Sequence, residues 1–293
     1  MKRKIMIGFF LIIAWFSFGQ QFTEFSGDYL GQTPPGDTPV VFAPGIISRY
    51  SLEHGPAVFS PDGNEVYWAW RDNPSTICHI WYMKRINNRW TKPESFAPFG
   101  DTVTHWDPFL SLDGKKLYFS AKNNNKADIW FVEKQDKGWG KPQSISPVIN
   151  NDVNDQCQAV LNRKGTVYYS GGCIIRSKFK KGNYLQPDTL PSSINMVRYD
   201  ADPYIAPDDS YLLFASRRLN DQVDIYISFH DTLTDTWSEP INAGEPINTY
   251  ETDRFPAISP DGKYLFFTRY NGYGNDMDVF WVSAKIIDRL RKK

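Results

Sequence analysis

Five polar residues recur along this chain at nearly even spacing. His54, His105, Asp155, Asp200 and Asp253 lie 51, 50, 45 and 53 residues apart. Two imidazoles and three carboxylates brought to one axis could hold a divalent cation or orient a polar ligand. The same side chains could equally cap the backbone of their own loops, as Asx turns do. Asn150, Asn195 and Asn248 each precede the local Asp by five residues, and Gln156 is an alternative to Asp155 in its segment. A second recurrent set is cationic. Arg71, Lys122 and Arg217 fall at one aligned position, with Arg218 and Arg269 beside it. The stretch Arg269-Tyr-Asn-Gly-Tyr-Gly-Asn275 is rich in groups that bind sugars or carboxylates; a solvated rim is the simpler reading.

Signatures of resident catalysis are missing. The sequence contains no G-x-S-x-G elbow, HExxH, P-loop or G-x-G-x-x-G. No cofactor motif is present, so a divalent cation is the one candidate cofactor. His79 replaces an Asp found at 128, 224 and 278, where the carboxylates are expected to fasten loops. His230 is placed on an exposed hairpin and given no role.

The elements that must position these residues come from an internal repeat. Five segments share one pattern: PAVFSPDG-NEVYWAW from Pro56, PFLSLDG-KKLYFSA from Pro108, QAVLNRKG-TVYYSG from Gln158, PYIAPDD-SYLLFAS from Pro203 and PAISPDG-KYLFFTR from Pro256. Each is followed by a strand-like run of the type ADIWFV, and four of them by a third element such as RWTKPESF. In SPDG, Pro fixes φ, Asp bonds locally and Gly supplies φ > 0, so a tight hairpin is expected. Four short strands in 44–53 residues are the unit of a propeller blade. The last copy lacks its fourth strand, and an equivalent stands before the first copy at Asp37–Ser48. The expectation is an all-β propeller of five four-stranded blades, with six an alternative. The segment near Val40–Ile47 would close the ring beside Met277–Ser283. Trp90, Trp139, Tyr184 and Trp237 repeat on the outer strand as packing rings. A short helix is expected over Ala284–Arg291, from Ile286, Ile287 and Leu290.

Ser60-Pro-Asp-Gly63, Ser259-Pro-Asp-Gly262, Asp128-Ile-Trp, Asp224-Ile-Tyr, Ile149-Asn150 and Ile247-Asn248 carry a family resemblance. Over about residues 36–290 the chain resembles the TolB-type β-propeller repeat family of bacterial envelope proteins. The resemblance implies a propeller in the cell envelope. It leaves the function open, because such repeats serve translocation accessories and peptidase propellers alike. The third unit departs most, with Asn162-Arg-Lys-Gly165 in place of SPDG.

Composition agrees with this fold. Aromatic residues reach 16%, and 20 Gly with 20 Pro argue for short strands and many turns. Lys plus Arg equals Asp plus Glu at 33 each, so no global field recruits nucleic acid. Lys2, Arg3 and Lys4 precede an apolar run from Ile5 to Phe18, and Ser17-Phe18-Gly19 supplies small residues for cleavage before Gln20. Residues 1–19 are read as a signal peptide, 20–36 as a lead segment and 37–293 as one propeller domain; the alternative is an uncleaved anchor. Cleavage gives a periplasmic or secreted monomer with no membrane-spanning domain. Of three cysteines, Cys157 and Cys173 could pair or remain free thiols. The functional expectation is a non-catalytic module that binds an envelope protein or a glycan on one face. The alternative is a carbohydrate-active enzyme, a glycoside hydrolase or lyase, with Asp155, Asp200 and Asp253 in the axial funnel.

Overall fold

Each repeat is built outward from its turn. In the first, the Ser60 hydroxyl donates to Asp62 at 2.6 Å, Asp62 accepts the Asn64 N–H at 3.0 Å, and Gly63 takes φ 68°. The turns at Ser111–Asp113 and Ser259–Asp261 repeat this geometry. The divergent third copy keeps it by substitution. The Asn162 side-chain Oδ1 accepts the N–H groups of Lys164 and Thr166, both at 3.0 Å, and the hairpin closes one residue sooner.

These hairpins organise five blades, as the repeat count predicts. The computed structural model describes residues 25–49, 52–71, 76–123, 126–150, 154–196, 199–219, 222–270 and 277–292. The expected signal segment 1–19 lies outside them, as do positions 271–275 of the Arg269 loop. Blade 2 shows the plan: inner strand His105–Leu110, then Lys116–Asn123, Lys126–Gln135 and the short outer strand Gln143–Ser144, all antiparallel. In blade 5 the outer place is taken by Val40–Val41, paired with Trp281 and Phe280 of strand Met277–Ser283. The ring therefore closes where the displaced strand required. The Phe42 ring packs edge-on against Phe266 and Trp281, both with centroids 5.1 Å away. The C-terminal helix Lys285–Leu290 forms with Ile287 and Leu290 buried. Among the described residues no helix is long and apolar enough to cross a membrane.

The apolar core is divided among the blade junctions. Tyr67, Ile80 and Phe96 of blade 1 pack on Leu117, Phe119 and Val132 of blade 2, and comparable clusters fill the other junctions. Each fully buried large side chain contributes about 1.5–3 kcal/mol. The outer rings reach back to the preceding blade: Trp139 Nε1 donates to the Tyr67 hydroxyl at 3.2 Å, and Trp237 lies edge-on to Tyr168. His230 is not exposed as expected. Its side chain is 3% accessible, stacked on Trp237 at 4.1 Å, with Nε2 3.0 Å from Asp235. Flat stacking on the indole takes the imidazole out of solvent. All three cysteines are free.

A polar clamp crosses every junction beside this apolar contact. The side-chain amides of Asn150, Asn195 and Asn248 hold both the N–H and the C=O of Ile129, Ile174 and Ile225 in the preceding blade, at 2.8–2.9 Å. Ser48 does the same for Val279 with one hydroxyl, and His105 Nδ1 takes the Ile80 N–H at 3.2 Å. Removing such an amide strands a buried backbone donor, which costs about 1–3 kcal/mol beyond the lost bond. Asn248→Ala should therefore lower the unfolding free energy by about 2–3 kcal/mol, measured by urea denaturation. A loss under about 0.5 kcal/mol, the value for a featureless surface site, would refute the clamp.

Candidate functional site

The chain enters every inner strand from one face, the loop face, and leaves through the SPDG-type turns on the opposite, turn face. The expected ring of five residues occupies three registers there. His105, Asp200 and Asp253 share one position, paired with Ala121, Ser216 and Arg269 of the next strand. Gln156 holds that place in blade 3, donating its backbone N–H to the Ala127 carbonyl as Asp253 does to Val223. Asp155 lies one residue earlier, and its carboxylate accepts the Ala127 N–H at 2.9 Å. His54 is one residue further in, level with Trp106, Cys157, Ala201 and Arg254, because its N–H bonds the Ala69 carbonyl.

The first set is spent on the loops that carry it. Asp253 takes the Arg269 guanidinium at 2.7 Å and both the N–H and hydroxyl of Thr249. Asp200 takes Arg218 at 2.9 Å and the Ser216 hydroxyl at 2.5 Å, while Arg218 also donates to the carbonyls of Ser193 and Ile194. Arg269 and Arg218 thus face inward and lock loops. The expected cation shell does not assemble: among the described residues no group of three or more His, Cys, Asp or Glu is arranged to hold a metal ion.

What converges on the axis is a set the repeat reading missed. In four blades the inner strand carries a bulge, and its residue takes positive φ: Asp107 at 51°, Gln158 at 60°, Asp202 at 55° and Phe255 at 53°. Gly55 holds the equivalent place in blade 1 at 113°, where a Cβ would meet Asp107 Oδ1 at 3.7 Å. The bulge re-aims these side chains toward the axis. A left-handed conformation costs a non-glycine residue roughly 1–2 kcal/mol, least for Asp. The recoverable signal is the Asp-Pro pair at 107–108 and 202–203, with Gly55-Pro56 and Phe255-Pro256 in register.

The axial groups form one network. Arg254 binds Asp202 through two nitrogens, at 2.8 and 3.0 Å, and its guanidinium lies 4.0 Å from the Phe255 ring centroid. The Gln158 amide donates to Asp202 and accepts from the Ser170 hydroxyl at 2.6 Å. His54 Nδ1 lies 3.2 Å from Asp107, which also takes the Ser120 hydroxyl at 3.2 Å. Burial pushes the Asp107 carboxyl above the usual range, and the nearby Asp202 charge adds to this against His54 and Arg254. Burial likewise raises the Cys157 thiol well above its ordinary value, so that thiol is a poor nucleophile.

Around this plug, on the loop face, Lys122 and Arg217 are exposed and Arg71 is half-buried. Arg217 and Arg254 both stand over the Tyr199 ring, at 5.6 and 5.4 Å. Ile77, Met196, Leu219 and Tyr250 are exposed on loops of the same face. Of the expected cationic rim, Arg218 and Arg269 are withdrawn into the protein.

No family model matches the chain, and no curated protein matches it in sequence. Solved structures share its fold. A putative TolB from Agrobacterium tumefaciens aligns with TM-score 0.52 at 19% identity, over 80% of this chain and 77% of that one. The catalytic domain of a GH62 α-L-arabinofuranosidase from Coprinopsis cinerea gives 0.56 at 14% identity, over 85% and 97%. An α-L-arabinofuranosidase from Podospora anserina, solved with cellotriose, gives 0.53 at 13% identity, over 85% and 96%. The resemblance to TolB-type propellers thus holds for the fold.

Two buried groups give the site a pH signature of opposite signs. Burial, with the His79 ring adding to it, pushes His105 down to about 4. A depressed imidazole contributes stability that is present above its unfolded value of about 6.5 and is lost as pH falls through about 4. The amplitude is on the order of 3 kcal/mol. Asp253 is pushed up by burial to about 6, against the pull of Arg269. Its contribution is present below the unfolded value and is lost as pH rises through about 6. His105→Asn should therefore remove an acid-side loss between pH 6.5 and 4, leaving the opposite Asp253 slope visible in urea denaturation. A His105 ring that titrates near 6.5 by NMR would contradict this.

Proposed function

We propose that this protein is an exported, non-catalytic propeller that binds a partner in the cell envelope through its loop face. The observation that carries this reading is the disposition of charge there. The carboxylates Asp155, Asp200 and Asp253 are each bonded within the blade loops, while Lys122 and Arg217 stand exposed. An acid–base pair for glycoside hydrolysis needs two carboxyl groups about 5–9 Å apart across an open pocket. Asp202 is saturated by Arg254 and Gln158, and Asp107 is occupied by His54 and Ser120. That supports binding over turnover. Exposed Met196, Leu219 and Tyr250 among the cations suit a protein surface with acidic groups, since Met, Tyr and Arg are enriched at such interfaces. Periplasmic or secreted placement follows from the N-terminal segment and is part of the proposal.

The test is capture from envelope extract followed by binding kinetics with the captured partner. Lys122→Glu combined with Arg217→Glu should slow association about tenfold or more, with the difference shrinking at high salt. Substitution on the turn face should leave association unchanged. Release of reducing sugar from arabinoxylan or another envelope or plant glycan, abolished by Asp107→Asn or Asp202→Asn, would replace this reading with the carbohydrate-active one.

A further inference from the structure

On the turn-face side of the axial network lies a cavity of about 190 Å³. Its walls are apolar. Pro56, Pro108, Pro203 and Pro256 ring it, and Phe59, Phe109 and Tyr204 add aromatic surface. Its mouth is set by the turns, at Pro61, Leu112, Pro207 and Pro260, and its far end by Asp107, Gln158 and Asp202. Lined apolar cavities of about 150 Å³ hold a benzene ring, so this one has room for a single ring or a branched chain of that size.

The far end carries an unbalanced charge. Arg254 answers Asp202 with two hydrogen bonds. Asp107 is hydrogen-bonded by the His54 ring and the Ser120 hydroxyl, and the one cation whose charge reaches it, Arg254, spends its hydrogen bonds on Asp202. Two buried carboxylates sharing one guanidinium are costly in low dielectric. The upward displacement of its protonation by burial is the same imbalance seen another way. A ligand that brings both a positive head and an apolar body fits the far end and the walls at once.

We propose that the axial cavity binds a small hydrophobic ammonium ion: a primary amine on a single aromatic ring or a branched aliphatic chain. The ammonium donates to the Asp107 carboxylate, and the body packs between the prolines and the aromatic rings. This site is distinct from the loop face and does not depend on a partner there.

Isothermal titration of the purified chain tests it with three isosteres: phenethylamine, ethylbenzene and phenylacetate. Phenethylamine should bind at least tenfold more tightly than either. Asp107→Asn should erase that preference. Because Asp107 is buried and that variant could fail to fold, Val58→Phe is the second test. Val58 is a half-buried wall residue, and the larger ring fills the cavity while leaving the charged network intact. It should abolish phenethylamine binding without changing the melting temperature by more than a few degrees. A tripeptide beginning with Phe separates two sources of the same chemistry. Binding equal to the amine assigns the ammonium to a chain terminus, and no binding assigns it to a free amine. Equal affinity for ethylbenzene, preference for phenylacetate, no binding of any probe, or binding that survives Val58→Phe would overturn the proposal.

Discussion

The outer strand of each blade is too short to cover the whole of the third strand beside it. The third strand begins beside the next blade's incoming loop, where the N–H groups of Ile80, Ile129, Ile174, Ile225 and Val279 take their partner from a side chain, while the carbonyls of the last four also accept an outer-strand N–H. A buried amide left unpaired costs more than a typical hydrogen bond returns. A side chain from the adjacent blade therefore reaches across at every junction. Asn serves three times because its amide presents a donor and an acceptor in one plane. Ser48 does it with one oxygen that both donates and accepts. The apolar clusters supply most of the adhesion; the directional clamp adds a bond of fixed geometry between each blade and the next.

Residues from different blades also meet on the axis. Arg254 reaches Asp202 with two bonds only because blades 4 and 5 hold their bulged strands in matching register. Gln158 spans the next gap, from blade 3 to Asp202, and His54 reaches Asp107 from blade 1 to blade 2. Charge, strain and packing are thus coupled. The positive φ at Phe255 costs backbone energy, and the guanidinium stacked on its ring at 4.0 Å offsets part of it.

The fold is legible in the sequence because its signals are local. SPDG closes a hairpin within a handful of residues, and the repeat tells how often. Even the displaced N-terminal strand can be inferred, since the last copy lacks its fourth element. The axial site is less legible because a one-residue bulge decides it. Counting residues along the loops aligns His54 with His105, but the hydrogen bonds place His54 with Arg254 and Trp106. Asp200 and Asp253 recur for a reason the spacing does show, namely fastening the loop, which is one of the two readings their pattern allows. Asp107 and Asp202 stand next to the prolines that mark the bulge. A single sequence gives no way to weigh an Asp-Pro pair as axial charge rather than as a turn.

The closing strand has a kinetic consequence. Val40 pairs with Trp281, so the final blade joins segments separated by about 240 residues, and bringing them together costs about 5 kcal/mol of chain entropy. Neighbouring blades can assemble as each hairpin becomes available, because their contacts are short in sequence. Blade 5 can be finished only once Met277–Ser283 is available to pair, and until then the apolar face around Phe266 and Trp281 lacks its cover. Completion of the ring is therefore the pairing that closes the longest loop, the kind of non-local contact that slows folding and leaves apolar surface uncovered.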